Sequence, residues 1–292
     1  MKGVESALAF ACGGDELVAV LHRGAAEARV GVLVVVGGPQ YRVGSHRQFV
    51  LLARGLAGQG LPVMRFDYRG MGDASGHVLT FEETGEDIGR AIDEFFLCET
   101  ALRSVIIWGL CDAASAALFY AHRDARVGGL VLLNPWVRTE AGMAKAYMKH
   151  YYLQRVFSSE FWKKAVTGKL NLGAAWKGFM DLAGKLRAGE KPESVPGRGT
   201  LAAVAAPLPE RMAQGWDKFK GPVLLILSGN NDYVADEFRD VVTASRSWQR
   251  RVKHSDVTWQ DFPAANHTFS RSDWREQVEQ WTGQWIRKYF VS

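Results

Sequence analysis

Two hydrophobic rhythms alternate along this chain. Val30 to Val36 carries no polar side chain, the pattern of a strand buried on both faces of a parallel sheet. Downstream, Phe49, Leu52 and Leu56 fall on one face of a helix that Ser45 is placed to cap and Gly60 to end. A strand at Pro62 to Phe66 follows, then a helix opened by a capping box at Thr80-Phe81-Glu82-Glu83, with Ile88, Ile92 and Phe95 inward. Val105 to Trp108 and Leu130 to Leu133 read as further strands, and Leu8 to Cys12 with Leu17 to Arg23 as an opening hairpin across Gly13-Gly14-Asp15. Late in the chain come a strand at Pro222 to Leu227, a helix over Ala235 to Ser247 and a strand at Val257 to Phe262. A last helix carries Trp274, Val278, Trp281 and Trp285 on one stripe. Strands alternating with helices in this way predict a mostly parallel sheet covered by helices on both faces.

Between residues 137 and 214 the alternation lapses. Helical stretches at Ala141 to Phe157 and Leu172 to Leu186, then a loop-like run with Pro192 and Pro196, predict a helical lid inserted into the sheet. The core is therefore expected over residues 1–136 and 215–292, with the lid over 137–214. Charge sharpens the picture. The net charge of +5 is concentrated here, since between Arg138 and Asp217 thirteen Lys and Arg stand against seven Asp and Glu. Such a block attracts acidic ligands, an acidic acyl carrier such as coenzyme A or acyl carrier protein among them; a solvated helical face has the same composition.

An apolar fraction of 47% and a charged fraction of 23% exclude disordered and fibrous classes. No apolar run approaches the roughly 18 residues of a membrane span, and the first residues lack a signal-peptide layout. Cys12, Cys98 and Cys111 are odd in number with no C-x-x-C spacing, which argues against a disulfide framework or a zinc site. The expectation is a cytoplasmic protein without metal or organic cofactor, and without a nucleic-acid partner.

The chemistry concentrates at Val105-Ile106-Ile107-Trp108-Gly109-Leu110-Cys111-Asp112-Ala113, a β-branched strand running into Gly-x-Cys-x-Ala and an alanine-rich helix. This is the form of a nucleophile elbow, whose strained turn needs small neighbours such as Gly109 and Ala113. In an open parallel sheet the reactive groups stand beyond the carboxyl ends of the strands. Asp232 follows the strand ending at Leu227, and His267 follows the strand ending at Phe262. Cys111, Asp232 and His267 thus stand in the order nucleophile, acid, base. Cys12 and Cys98 read as small core residues.

That order, with Val36-Gly37-Gly38-Pro39 and Asp67-Tyr68-Arg69-Gly70-Met71-Gly72-Asp73-Ala74-Ser75-Gly76, resembles the α/β-hydrolases over nearly the whole length. Gly-Leu-Cys-Asp at the elbow, the run from Gly37 to Arg47, and Asn266-His267-Thr268-Phe269-Ser270 are similar to the bacterial hydrolases associated with exosortase A systems. The resemblance implies an α/β-hydrolase fold with an eight-stranded sheet, and a hydrolase acting on a carboxylic ester or thioester. In that reading Cys111 carries an S-acyl intermediate, His267 takes its proton and Asp232 orients the imidazole. An unperturbed thiol is mostly protonated at neutral pH, so it needs activation. The helix dipole under Cys111 would help and a negative Asp112 would oppose it. The backbone N–H groups of Asp112 and Gln40, which follows the N–H-less Pro39, are the candidate oxyanion donors. Arg42, His46 and Arg47 could meet an acidic substrate group, and Trp136 and Tyr147 could line an acyl pocket; surface solvation and plain packing explain the same residues. Two other functions fit the residues: an acyltransferase using the same acyl-enzyme, and a non-catalytic binding module.

Overall fold

In the computed structural model the described residues are 4–38, 40–139, 206–229 and 232–291. The predicted helices at Ala141 to Phe157 and Leu172 to Leu186, and Tyr147 with them, lie outside these residues. Among the described residues the eight strands are β1 (Glu5–Cys12), β2 (Asp15–His22), β3 (Val30–Val35), β4 (Val63–Asp67), β5 (Ser104–Leu110), β6 (Val127–Leu133), β7 (Val223–Ser228) and β8 (Val257–Phe262). They form one sheet in the order β1-β2-β4-β3-β5-β6-β7-β8. The β1–β2 hairpin and the β2–β4 pair are antiparallel, and every other pairing is parallel. Every residue of β3, β4 and β7 is buried, as the unbroken apolar run at Val30 foretold.

Among the described residues the helices are α1 (Gln48–Gly58), α2 (Gly85–Cys98), α3 (Asp112–Tyr120), α4 (Leu208–Lys218), α5 (Tyr233–Ala244), α6 (Arg246–Val252) and α7 (Ser272–Phe290). Neighbouring residues of a strand face opposite sides, and β5 shows what this achieves. Trp108 meets Phe49 of α1 edge-on at 5.7 Å, while Gly109 lies under Ala113 of α3. Helices α1 and α7 contact one another, and α3 contacts both α2 and α4. The sheet is therefore sandwiched between helices on its two faces.

Four local expectations shift. Ser45 does not cap α1: Ser45–Arg47 make a separate single turn, and His46 and Arg47 adopt left-handed φ of 54° and 59° before α1 begins at Gln48. The Thr80–Glu83 bonds form, with both the Thr80 N–H and hydroxyl donating to Glu83 Oε2 at 2.9 and 2.8 Å. They close a turn rather than a helix, and α2 starts at Gly85. The helix predicted over Ala235 to Ser247 is broken at Ser245, whose extended backbone ends α5 and starts α6. Finally, the lid boundary expected at 214 runs through α4, which packs on α3 within the unit formed by residues 1–139 and 207–292. Its buried Leu208, Met212 and Trp216 repeat at helical spacing, so the helix belongs to the core by its own pattern.

Candidate active site

Cys111 sits between β5 and α3 with φ 63° and ψ −124°, a conformation that costs a non-glycine residue about 1–3 kcal/mol. Two of its bonds reach the neighbouring strand: its N–H donates to Leu133 O at 2.9 Å, and its carbonyl accepts from Trp136 N at 3.3 Å. Both partners flank the carboxyl end of β6, so the elbow is braced by the neighbouring strand. Gly109 is required beneath it. A Cβ there would stand 2.7 Å from Ala113 O and 2.8 Å from Ala114 N, both backbone atoms that cannot yield.

Asp232 and His267 meet across the ends of β7 and β8. His267 Nδ1 lies 2.8 Å from Asp232 Oδ2, with the Asp232 side chain only 2% exposed. Ser228 Oγ donates to the same oxygen at 2.6 Å, and Val234 N donates to Oδ1 at 3.0 Å. Burial alone would raise the Asp232 pKa; the bonds from His267, Ser228 and Val234 outweigh it and hold the carboxyl below its ordinary value. An ionised carboxylate at Nδ1 fixes a tautomer that leaves Nε2 free of its proton to act as a base. No hydrogen bond joins Cys111 Sγ to the imidazole among the described residues. Burial, then the charge of Asp112, pushes the Cys111 thiol up to about 12, and Asp232 adds to the effect. Only the Asp112 N–H, directed at the sulfur, works the other way. Desolvation and the two carboxylates therefore act together against the thiolate.

Of the two oxyanion candidates, the Asp112 N–H is at the sulfur, as an elbow requires. Gln40 lies on the loop after β3, where its Oε1 accepts from Ser45 N at 3.3 Å. The Asp112 side chain reaches the same loop, accepting from Gly38 N at 2.7 Å.

The other candidates separate. Arg42 is not free for a substrate: its guanidinium bonds Asp67 and reaches Asp73 Oδ2 at 2.6 Å, and its N–H donates to Asp67 Oδ1 at 2.6 Å. Asp67 is wholly buried, so it holds the nearest cation as a partner. His46 and Arg47 are exposed on the turn before α1. Trp136 is half-buried beside the elbow, its ring 6.0 Å from that of Phe81. A cavity of about 240 Å³ between α1 and α7, lined by Gln48, Trp108, Leu133 and Phe269, includes none of Cys111, Asp232 or His267. Among the described residues one trio of possible metal ligands, Cys12, Glu86 and Asp87, comes together, and Arg69 already pairs with both carboxylates.

Two residues that sequence reasoning passed over complete the arrangement. Asn134, wholly buried at the end of β6 with φ 44°, accepts from Ser228 N at 2.8 Å and donates through Nδ2 to His267 O at 3.1 Å. It ties the strand that leads to the acid to the loop that carries the base. Ser228 aims the acid. An Asn placed one residue beyond a buried strand, where left-handed backbone is tolerated, was the available signal.

Comparison with known proteins places these features in context. The family model described as serine aminopeptidase, S33, matches residues 27–271. No curated protein matches the sequence significantly. Among solved structures, an esterase of Pyrococcus furiosus is 13% identical with a TM-score of 0.65, covering 98% of this chain and 93% of that one. A thermostable carboxyl esterase from Bacillus coagulans is 17% identical, with a TM-score of 0.63 and coverage of 98% and 99%. A dienelactone hydrolase from Anabaena variabilis is 14% identical, with a TM-score of 0.59 and coverage of 99% of each chain. At these identities the likeness establishes the α/β-hydrolase fold.

Proposed function

Since the chain belongs to the serine aminopeptidase S33 family of α/β-hydrolases, we propose that it hydrolyses a carboxylic ester or thioester through an S-acyl intermediate on Cys111. The observation that carries this reading is the Cys111 elbow facing the same sheet edge as a hydrogen-bonded Asp232–His267 pair, 2.8 Å apart. A strained turn that lifts one side chain beyond a sheet serves packing poorly and attack well.

Attack forms a bond between Sγ and the carbonyl carbon while the carbonyl π pair moves onto oxygen. The thiol proton passes to Nε2 of His267, and Asp232 stabilises the resulting imidazolium. The oxyanion is met by the N–H groups of Asp112 and Gln40. Collapse breaks the bond to the leaving alcohol or thiol, which takes the proton from Nε2. Water then surrenders a proton to the same imidazole as it adds to the thioester, and the second collapse returns that proton to sulfur. A thiol attacking a thioester exchanges one C–S bond for another, and an activated ester is comparably accessible; an amide is a poorer substrate for this nucleophile. A reducing compartment such as the cytoplasm suits a chain whose Cys12, Cys98 and Cys111 are all unpaired. Among the described residues no helix is long and apolar enough to cross a membrane.

The test is to mix the protein with p-nitrophenyl acetate and follow p-nitrophenolate release alongside intact mass. The expected result is turnover with an acetyl group on Cys111, both abolished by Cys111→Ala. Turnover that survives Cys111→Ala, or no adduct and no turnover in the parent protein, overturns the proposal.

A further inference from the structure

Asp112 directly follows Cys111, and a carboxylate in the first turn of a helix is ordinarily explained by the helix dipole. Here an oxygen is committed elsewhere. Oδ2 accepts the N–H of Gly38, 74 positions earlier, at 2.7 Å. Gly38 has φ 60°, and Gly37 before it has no room for a side chain: a Cβ there would collide with Asp112 Oδ1 and approach Ala113 N to 2.9 Å. The turn after β3 is therefore drawn directly onto the start of α3, two residues before Gln40. Asp112 is 8% exposed, and the backbone N–H groups of Gly38, Ala113 and Asp112 all favour its charge.

We propose that Asp112 is the positioning residue of this site: its buried carboxylate straps the Gly37–Gly38 turn to α3, so that Gln40 is held as an oxyanion donor, and it sets a negative charge beside the Cys111 sulfur. The inference rests on the proposed function for its catalytic meaning, but the strap and the charge are properties of the fold. Among the described residues the groups acting on the sulfur are Asp112 on α3 and Asp232 and Tyr233 after β7, and His267 after β8 is bonded to Asp232. Those facing Asp112 are Cys111, His267 and Tyr68 after β4. Among the described residues, the groups on α3 and after β7 that act on the sulfur are negative or neutral. The burial that raises the thiol also raises the Asp112 carboxyl above its ordinary value, and the three N–H groups and His267 limit that rise.

Two substitutions separate the strap from the charge. Asp112→Asn keeps an oxygen for the Gly38 N–H and removes the charge; Asp112→Ala removes both. Three readouts apply to each: alkylation of Cys111 by iodoacetamide across pH, followed on the Cys111 peptide; hydrogen exchange of the peptide covering residues 33–40; and kcat and KM with p-nitrophenyl acetate. Both variants are expected to lower the alkylation midpoint by at least about one pH unit, so that alkylation at pH 8 quickens about tenfold. Asp112→Ala should lose protection at Gly38 where Asp112→Asn keeps it, and its kcat should fall at least about tenfold below that of Asp112→Asn with KM within about twofold, because a misdirected oxyanion donor is felt in the transition state. An unmoved midpoint in Asp112→Asn overturns the proposal by itself, even if Asp112→Ala fails to fold. Retained Gly38 protection in Asp112→Ala overturns it as well, as does a kcat loss in Asp112→Asn as large as in Asp112→Ala. If the parent protein forms no acetyl-enzyme, it is the proposed function that fails, and the alkylation and exchange results still decide the role of Asp112.

Discussion

Asn134 is the residue at which stability and catalysis should fail together. Its side chain satisfies two backbone groups of other elements, the Ser228 N–H at 2.8 Å and the His267 carbonyl at 3.1 Å, from a fully buried position. Replacing it with Ala leaves both groups without that partner. Stranding a buried donor costs about 1–3 kcal/mol, and Ser228 is itself wholly buried; the half-buried His267 loop can recover water at its carbonyl, so its share is smaller. The backbone adds to this, because φ is 44° and a left-handed alanine costs about 1–2 kcal/mol more than glycine. The expected loss for Asn134→Ala is about 3 kcal/mol, read by urea denaturation followed by circular dichroism, with a fall in Tm of about 6 °C for a chain of this size. Asn134→Gly relieves the strain but not the lost bonds, and should recover about 1 kcal/mol. Releasing the backbone of His267 should lower kcat about tenfold with little change in KM, since small misplacements of a reacting group are costly. An Asn134→Ala protein that loses less than about 1 kcal/mol and keeps its kcat refutes the assignment of Asn134 as the tie between acid strand and base loop.

Other substitutions probe other parts of the same edge. Asp67→Ala leaves the guanidinium of Arg42 with Asp73 as its remaining partner and removes the acceptor of the Arg42 N–H, and should cost about 1–3 kcal/mol in chemical denaturation; it should do so without a specific rise in KM, the opposite of what a substrate-binding Arg42 requires. Gly109→Ala drives a Cβ into the backbone of α3, 2.7 Å from Ala113 O, and should destabilise by about 1–3 kcal/mol in thermal melts while slowing acylation. Asp232→Asn should lower kcat by about 10⁴-fold by favouring the wrong imidazole tautomer; activity within tenfold of the parent would sink the triad. His22 gives a pH signature. Burial, helped by Arg65, pulls its pKa down to about 4, so the native state holds it neutral with Nε2 accepting from Arg65 Nε at 3.0 Å. Because the unfolded chain takes up the proton near pH 6.5, its stabilising contribution is complete above that pH. The contribution is lost as pH falls toward 4, by about 3 kcal/mol at most, and His22→Gln should flatten that slope in denaturant titrations.

What the sequence made legible was local or periodic. The unbroken run at Val30, the Gly-x-Cys-x-Ala elbow and the positions just after two late strands are each visible within a dozen residues. They suffice to place Cys111, Asp232 and His267 at one sheet edge once the sheet is parallel. The ties between strands were not legible. Asn134 reaches Ser228, 94 positions away, and His267, 133 away, only because β6 and β7 are neighbours in the sheet. Arg42 looked available because its partner, Asp67, lies in β4, which the strand order folds back next to β3. The capping signals at Ser45 and Thr80 misled for a related reason. A Ser or Thr side chain closes a turn as readily as it opens a helix, and tertiary packing decides whether a helix follows.

The electrostatics of the elbow show the same division with larger consequences. From sequence, the helix dipole and an imidazole argue for an acidic thiol, and the adjacent Asp112 argues against one. The signs are readable and the weights are not, because they depend on burial. In the folded chain the sulfur is desolvated and flanked by Asp112 and Asp232, and its pKa rises to about 12. A thiol in that environment resembles a hydroxyl in one respect: it is protonated at rest and needs a base at the moment of bond formation. On the proposed function, that similarity would let sulfur stand where a hydroxyl serves in related enzymes, with the pair of His267 and Asp232 taking the proton during attack.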